Sequence, residues 1–258
     1  MENIDISPYG LLGTFGFISG FVYLYFVCNK REFQDIIYVY TWAAIGAMLG
    51  AKILYLIIDF KNIYYFLVKD SSFEYIMSIL SGGFVFYGGL AGALVATLIS
   101  SKYLHLDVVN SFSLITPAMP LAHTFGRIGC AIVGCCYGIE TETYGIIYEN
   151  SQFAPLYIKL FPVQLVEAFF DFVIFFILIF LVLKNKYRNK VLIVYLYMYS
   201  IIRFFLEFFR GDIDRGFLWI LSTSQWISIG IFVIITVCII YAIYNGKKGD
   251  ELNDKILY

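Results

Sequence analysis

The chain has 258 residues, of which 60% are apolar on the Ala, Val, Ile, Leu, Met, Phe, Trp, Tyr and Cys count and only 14% are charged. A soluble domain carries about 25% charged and roughly 45–50% apolar residues, so a soluble globular enzyme is excluded. So are a disordered chain, which needs low hydrophobicity and high charge, and a nucleic-acid binder, which needs a basic surface; the net charge of -1 says nothing about partners.

A helix needs about 20 mainly apolar residues to cross a hydrocarbon core of roughly 30 Å. Runs of that kind lie at about 9–28, 37–58, 83–101, 107–135, 162–183, 191–209 and 219–244. They predict an all-α, polytopic membrane protein of seven transmembrane helices, a single transmembrane domain over residues 1–258. The first run is too long for a signal-peptide core and lacks the basic flank and cleavage site of one, so it reads as a retained span. Residues 71–80 read as a short interfacial segment. The fourth run is long enough to be tilted, broken or partly re-entrant.

Orientation follows from the 18 Lys and Arg. Loops after spans 1, 3, 5 and 7 hold Lys30, Arg31, Lys102, Lys184, Lys186, Arg188, Lys190, Lys247, Lys248 and Lys255; the other loops hold Lys61, Lys69, Lys159, Arg210 and Arg215. Positive charge is retained on the cytoplasmic side, so this asymmetry predicts an N-terminus outside and a C-terminus in the cytoplasm.

The remaining cations, Lys52, Arg127 and Arg203, lie inside spans. A cation there costs at least ~2.5 kcal/mol, so it pairs, snorkels or works. Laid out on the predicted topology, all three fall in the outer parts of spans 2, 4 and 6. Tyr9, Tyr87, Gln164, Glu167 and Gln225 fall at the same level, and Glu207 lies one helical turn beyond Arg203, with Tyr199 one turn before it. A packing ion pair accounts for any one of these groups. Together they point to an anionic ligand taken from the outer leaflet, with a phospholipid head group the most available.

Glycines crowd the same region: Gly82, Gly83, Gly88, Gly89 and Gly92 in SGGFVFYGGLAG, and Gly126, Gly129, Gly134 and Gly138 in GRIGCAIVGCCYG. Close helix packing explains Gly16/Gly20 and Gly46/Gly50. Around Arg127 the density suggests a broken helix whose free N–H groups face a phosphate.

Of the five cysteines, Cys28 and Cys238 read as inert core thiols. Cys130, Cys135 and Cys136 flank Arg127, but their spacing matches no usual zinc pattern, and His105 and His123 are the only histidines. No metal and no cofactor is expected; an uncharged polar lining is the default reading of the three thiols and a disulfide the alternative. His123, four residues before Arg127, is either a satisfied interior group or the proton-transfer residue beside a phosphate-binding Arg. His105 is assigned no role.

An ordered set of motifs covers nearly the whole chain: the Tyr-Gly-Leu at Tyr9, GAKILY around Lys52, SGGFVFYGGLAG, GRIGCAIVGCCYG, FPVQLVEA around Gln164, YSIIRFFLEFFRGD from Tyr199, and Ser-x-x-Gln at Ser222 to Gln225. In this set the chain resembles the bacterial prolipoprotein diacylglyceryl transferases, enzymes of the cytoplasmic membrane whose seven spans and outside N-terminus match the predicted topology. The resemblance implies transfer of the diacylglyceryl group of phosphatidylglycerol to the lipobox cysteine thiol of a prolipoprotein, with glycerol phosphate released. It implies a multi-pass protein of the bacterial inner membrane, with its active site facing the outer leaflet. It carries the family's phosphatidylglycerol-binding Arg onto Arg127, its second essential Arg onto Arg203 and its Glu onto Glu207.

The chain departs from the family pattern inside the expected site. Tyr87 stands where the family has His, Cys130 where it has Asn, Cys135 where it has Glu, and Phe161 where it has His. The expected catalytic residues are therefore His123, Tyr87 and Arg203. The expected substrate-binding residues are Arg127, Arg203, Tyr9, Glu207, Gln164, Cys130, Cys135 and Gly138. Two other readings compete: a transferase that uses phosphatidylglycerol with a different exported acceptor such as a glycan, and a non-catalytic lipid-binding membrane protein.

Overall fold

The computed structural model describes residues 8–69, 76–77, 79, 85–212 and 216–256, and most of them are helical. The expected interfacial segment at 71–80 lies outside the described residues except for 76, 77 and 79, as do Gly82 and Gly83. The chain divides into two compact units, one of residues 21–115 and one of residues 1–20 with 116–258. Helix α1 (Pro8–Val27) begins in the second of these and ends in the first. The hydroxyls of Thr14 and Ser19 are satisfied within the helix, Thr14 donating to the Gly10 carbonyl at 2.9 Å and Ser19 to that of Gly16 at 2.8 Å, as an apolar surrounding requires.

The unit of residues 21–115 contains α2 (Lys30–Ile58), α3 (Phe60–Lys69), α4 (Phe86–Tyr103) and α5 (Val108–Ile115). Asn29 caps α2, its side chain accepting the Glu32 N–H at 3.0 Å, so the helix starts one to two turns before its apolar run. α2 and α4 cross backbone to backbone. A Cβ on Gly46 or Gly50 would collide with the Gly92 or Gly88 carbonyl, and one on Gly88 or Gly92 with the Gly50 or Gly46 carbonyl. The packing explanation of Gly46/Gly50 holds and extends to Gly88 and Gly92.

The unit closing the chain contains α6 (Ala118–Val133), α7 (Val163–Leu183), α8 (Val191–Leu206) and α9 (Thr223–Ile256), each packed on the next. The fourth apolar run is broken: α5 ends at Ile115 and α6 begins at Ala118. Pro117 lacks an N–H and disfavours a helical residue before it; the Met119 N–H closes a tight turn on the Thr116 carbonyl at 3.0 Å. Around Arg127, by contrast, the helix is continuous, so the expected break and its phosphate-facing amides are not there.

Residues 134–162 form a small connection closed by β1 (Ile146–Ile147) and β2 (Lys159–Leu160), antiparallel with Ile146 opposite Leu160. Its own core is Tyr148, Ala154 and Leu160. The Tyr148 hydroxyl donates to the Ala131 carbonyl at 2.7 Å and Ser151 to that of Val133 at 2.8 Å, satisfying carbonyls left over at the end of α6. A hairpin of β3 (Phe217–Leu218) and β4 (Leu221–Ser222) precedes α9. Ser222 and Gln225 then cap that helix reciprocally: the Ser222 Oγ accepts the Gln225 N–H at 3.2 Å, and the Gln225 Oε1 accepts the Ser222 N–H at 3.0 Å. The Ser-x-x-Gln motif thus works as a helix start.

Among the described residues, five helices are long and apolar enough to cross a membrane: Gly10–Val27, Lys30–Ile58, Val163–Leu183, Tyr187–Phe209 and Thr223–Tyr244. They coincide with five of the seven expected runs. The other two are the glycine- and serine-rich α4 and the run that Pro117 divides.

Candidate active site

One face of α7 carries Gln164, Glu167 and Asp171 at i, i+3 and i+7, in line with the buried apolar stripe of Ile174, Leu178 and Val182. All three polar side chains are buried. α6 presents His123 and Arg127 one turn apart, and α8 ends with Arg203 one turn before Glu207. Each buried charge needs a partner, and the three helices supply one another's.

The result is an unbroken relay of six side chains. Asp171 Oδ2 lies 2.8 Å from His123 Nδ1. The Arg127 Nε donates to His123 Nε2 at 3.2 Å, and its Nη2 lies 3.0 Å from Glu167 Oε1. Glu167 Oε2 reaches Arg203 Nη1 at 3.6 Å, and Arg203 Nη2 lies 2.8 Å from Glu207 Oε2. Arg203 Nη2 also donates to the Ser224 hydroxyl of α9 at 3.3 Å. The Tyr199 ring stands edge-on to His123, with centroids 5.7 Å apart.

This network assigns the imidazole's tautomer. A guanidinium only donates, so His123 Nε2 must accept, and the ring proton sits on Nδ1 facing Asp171. His123 is then a neutral imidazole, oriented by a carboxylate, whose lone pair is covered by Arg127. If Arg127 turned towards an anion, that lone pair would be exposed. The arrangement joins anion binding to the availability of a base.

Arg127, Arg203, Glu207, His123 and Gln164, all expected from the sequence, belong to this unit and to the relay or its rim. Gln164 donates to the Cys135 carbonyl at 2.9 Å and so pins the chain after α6. Gly138 pairs with Arg210 in an isolated bridge, where a Cβ would strike the Phe161 carbonyl. Tyr9 lies in α1, and its side chain is outside the described residues. Tyr87 is the second residue of α4, in the other unit. Lys52, also in that unit, donates to the Ile79 carbonyl and sits 5.1 Å from the centre of the Tyr55 ring.

Two charged residues were not anticipated. Asp171 is a carboxylate within an apolar helix, one turn beyond Glu167, and the rule that singles out cations in spans applies equally to it. Arg210 makes a two-point contact with Asp212, Nε to Oδ1 at 3.0 Å and Nη2 to Oδ2 at 2.5 Å. Burial works against the Arg210 charge, but Asp212 more than offsets it and the pKa is raised.

The three cysteines at the end of α6 come together. Gly134, with φ of 84°, ends the helix in the left-handed conformation and its N–H returns to the Cys130 carbonyl. That turn brings Cys135 and Cys136 back beside Cys130, with the three sulfurs within 4.8 Å of one another. A second group of possible ligands, His123, Glu167 and Asp171, is already engaged in the ion pairs above.

The family model described as prolipoprotein diacylglyceryl transferase matches residues 1–241. The chain is similar to the phosphatidylglycerol–prolipoprotein diacylglyceryl transferase of Clostridium tetani, 36% identical over 239 residues that cover 90% of this chain and 93% of that protein. It is 38% identical over 212 residues to the protein of Clostridium perfringens named transferase 2, covering 82% of this chain and 79% of that one. The Finegoldia magna transferase is 30% identical over 235 residues, 90% of this chain and 89% of that protein.

Proposed function

Because the chain belongs to the prolipoprotein diacylglyceryl transferase family, we propose that it moves the diacylglyceryl group of phosphatidylglycerol onto the thiol of the lipobox cysteine of prolipoproteins. The observation that carries the mechanism is the relay from Asp171 through His123, Arg127, Glu167 and Arg203 to Glu207. Arg127 and Arg203 take the donor phosphate, each able to offer two parallel hydrogen bonds. As Arg127 turns to the phosphate it uncovers His123 Nε2, which accepts the proton of the acceptor thiol. The sulfur bonds to the glyceryl carbon while the C–O bond to phosphate breaks, and the electron pair leaves on glycerol phosphate, whose growing charge the arginines stabilise. Asp171 holds the imidazole and supports its charged form.

Glu207 positions Arg203, and Gln164, Gly138, Cys130 and Cys135 line the donor side; the sequence pattern alone adds Tyr9 to lipid binding and Tyr87 to orienting the donor. The protein works as a seven-span protein of the bacterial inner membrane, with the N-terminus outside, the C-terminus in the cytoplasm and the site open to the outer leaflet.

The test is a transfer assay with purified protein, phosphatidylglycerol and a lipobox peptide. One thioether-linked diacylglyceryl peptide per glycerol phosphate released is expected. Glycerol phosphate release without peptide product would instead favour a different exported acceptor, the reading suggested by Cys130, Cys135 and Phe161 standing in place of the family's residues. No release at all would contradict both.

A further inference from the structure

The thiols of Cys130, Cys135 and Cys136 are free, one buried and two half-buried. Three independent features of the fold converge on them. The left-handed cap at Gly134 returns the chain onto Cys130. Cys136 itself has φ of 55°, a conformation unusual for a side-chain-bearing residue and one that tends to persist where a site needs it. Gln164, buried on α7, then fixes the Cys135 carbonyl at 2.9 Å. Backbone geometry that is costly and externally braced thus holds three sulfurs within 4.8 Å of one another.

We propose that Cys130, Cys135 and Cys136 form a three-thiolate site for a soft d10 cation, Zn²⁺ or Cu⁺. Thiolate ligands select such cations over Mg²⁺ or Ca²⁺. A Zn–S bond of about 2.3 Å sets the sulfurs of a trigonal or tetrahedral site about 3.8–4.0 Å apart, so sulfurs already within 4.8 Å of one another close on a cation with shifts of up to about 1 Å. Binding replaces the S–H protons, which pass to solvent. Spacing alone hides the site: Cys-x4-Cys-Cys is not a usual zinc pattern, and it becomes a cluster only because Gly134 reverses the chain.

The full chain, purified in detergent, reduced and stripped of metal, is titrated with Zn²⁺ against a chromogenic chelator and, without oxygen, with Cu⁺ against a Cu⁺ chelator. One equivalent of at least one of the two should bind, with Mg²⁺ in excess failing to displace it. Cys130→Ser, Cys135→Ser and Cys136→Ser should each weaken binding by ~100-fold or more, beyond the 10–100-fold typical of outer-shell changes, while Cys28→Ser and Cys238→Ser leave it unchanged. Should the serine variants misfold, maleimide labelling of the wild type decides: bound metal should slow modification of Cys135 and Cys136 by about tenfold or more, since the thiolate is the reactive form. Neither readout depends on transferase activity. Binding equal to that of the triple serine variant, labelling unaffected by either cation, or a disulfide between two of the three cysteines in protein purified without reductant under argon would overturn the proposal.

Discussion

The α2–α4 pair and the α6–α7–α8 trio are both made of apolar helices, yet they hold together by opposite means. In the pair, Gly46, Gly50, Gly88 and Gly92 remove side chains altogether and the backbones touch. In the trio, six polar side chains occupy the space between helices and pair among themselves. Lipid offers no hydrophobic drive for helix association, so a membrane protein uses close van der Waals contact or internal polar contacts. Contact is enough for a scaffold. Buried ion pairs add little net stability over apolar packing, so their concentration in the trio supports the proposal that the charged donor is handled there.

The sharpest way to break this contrast is Glu167→Gln. Glu167 is shared by Arg127 and Arg203, and removing one partner of a buried pair leaves an uncompensated charge costing ~3–5 kcal/mol. Denaturant or thermal unfolding in detergent should show a loss of that order; unchanged stability would mean that the pairs are not the trio's bond. Next come Arg127→Lys and Arg203→Lys, which keep charge but lose the planar fork. Loss of one charge-assisted hydrogen bond, about 1.5–3 kcal/mol, predicts donor use falling by ~10–100-fold, measured as kcat/KM for phosphatidylglycerol. Smaller again is Gly50→Ala in the pair, where the added methyl meets the Gly88 carbonyl. Overpacking there should cost ~1–3 kcal/mol of stability while turnover per folded molecule stays the same.

The two regions also differed in how readily the sequence revealed them. The small-residue repeats at Gly46/Gly50 give the seam directly, because the spacing puts both on one helix face. Arg127, Arg203 and Glu207 were legible because a charge in an apolar run is conspicuous. The geometry among them was not: that Glu167 bridges both arginines depends on how α7 rotates against its neighbours, and no local pattern encodes that. Asp171 was missed although it obeys the same rule as the cations. Around Arg127 the glycines were misjudged, since Gly134 ends the helix and Gly138 serves a close chain crossing. Pro117 was the real break point, between the end of α5 at Ile115 and the start of α6 at Ala118.

The contrast rests finally on the proposal that His123 is the base of the transfer. His123→Gln and Tyr87→Phe should be compared with the wild type for both phosphatidylglycerol binding and diacylglyceryl transfer, on the same purified samples. With His123 replaced, binding should remain and transfer should fall ~10²–10⁴-fold, the usual worth of general-base help, while Tyr87→Phe loses less. Full transfer by His123→Gln would contradict the mechanism and leave His123 as a packed interior residue between Asp171 and Arg127.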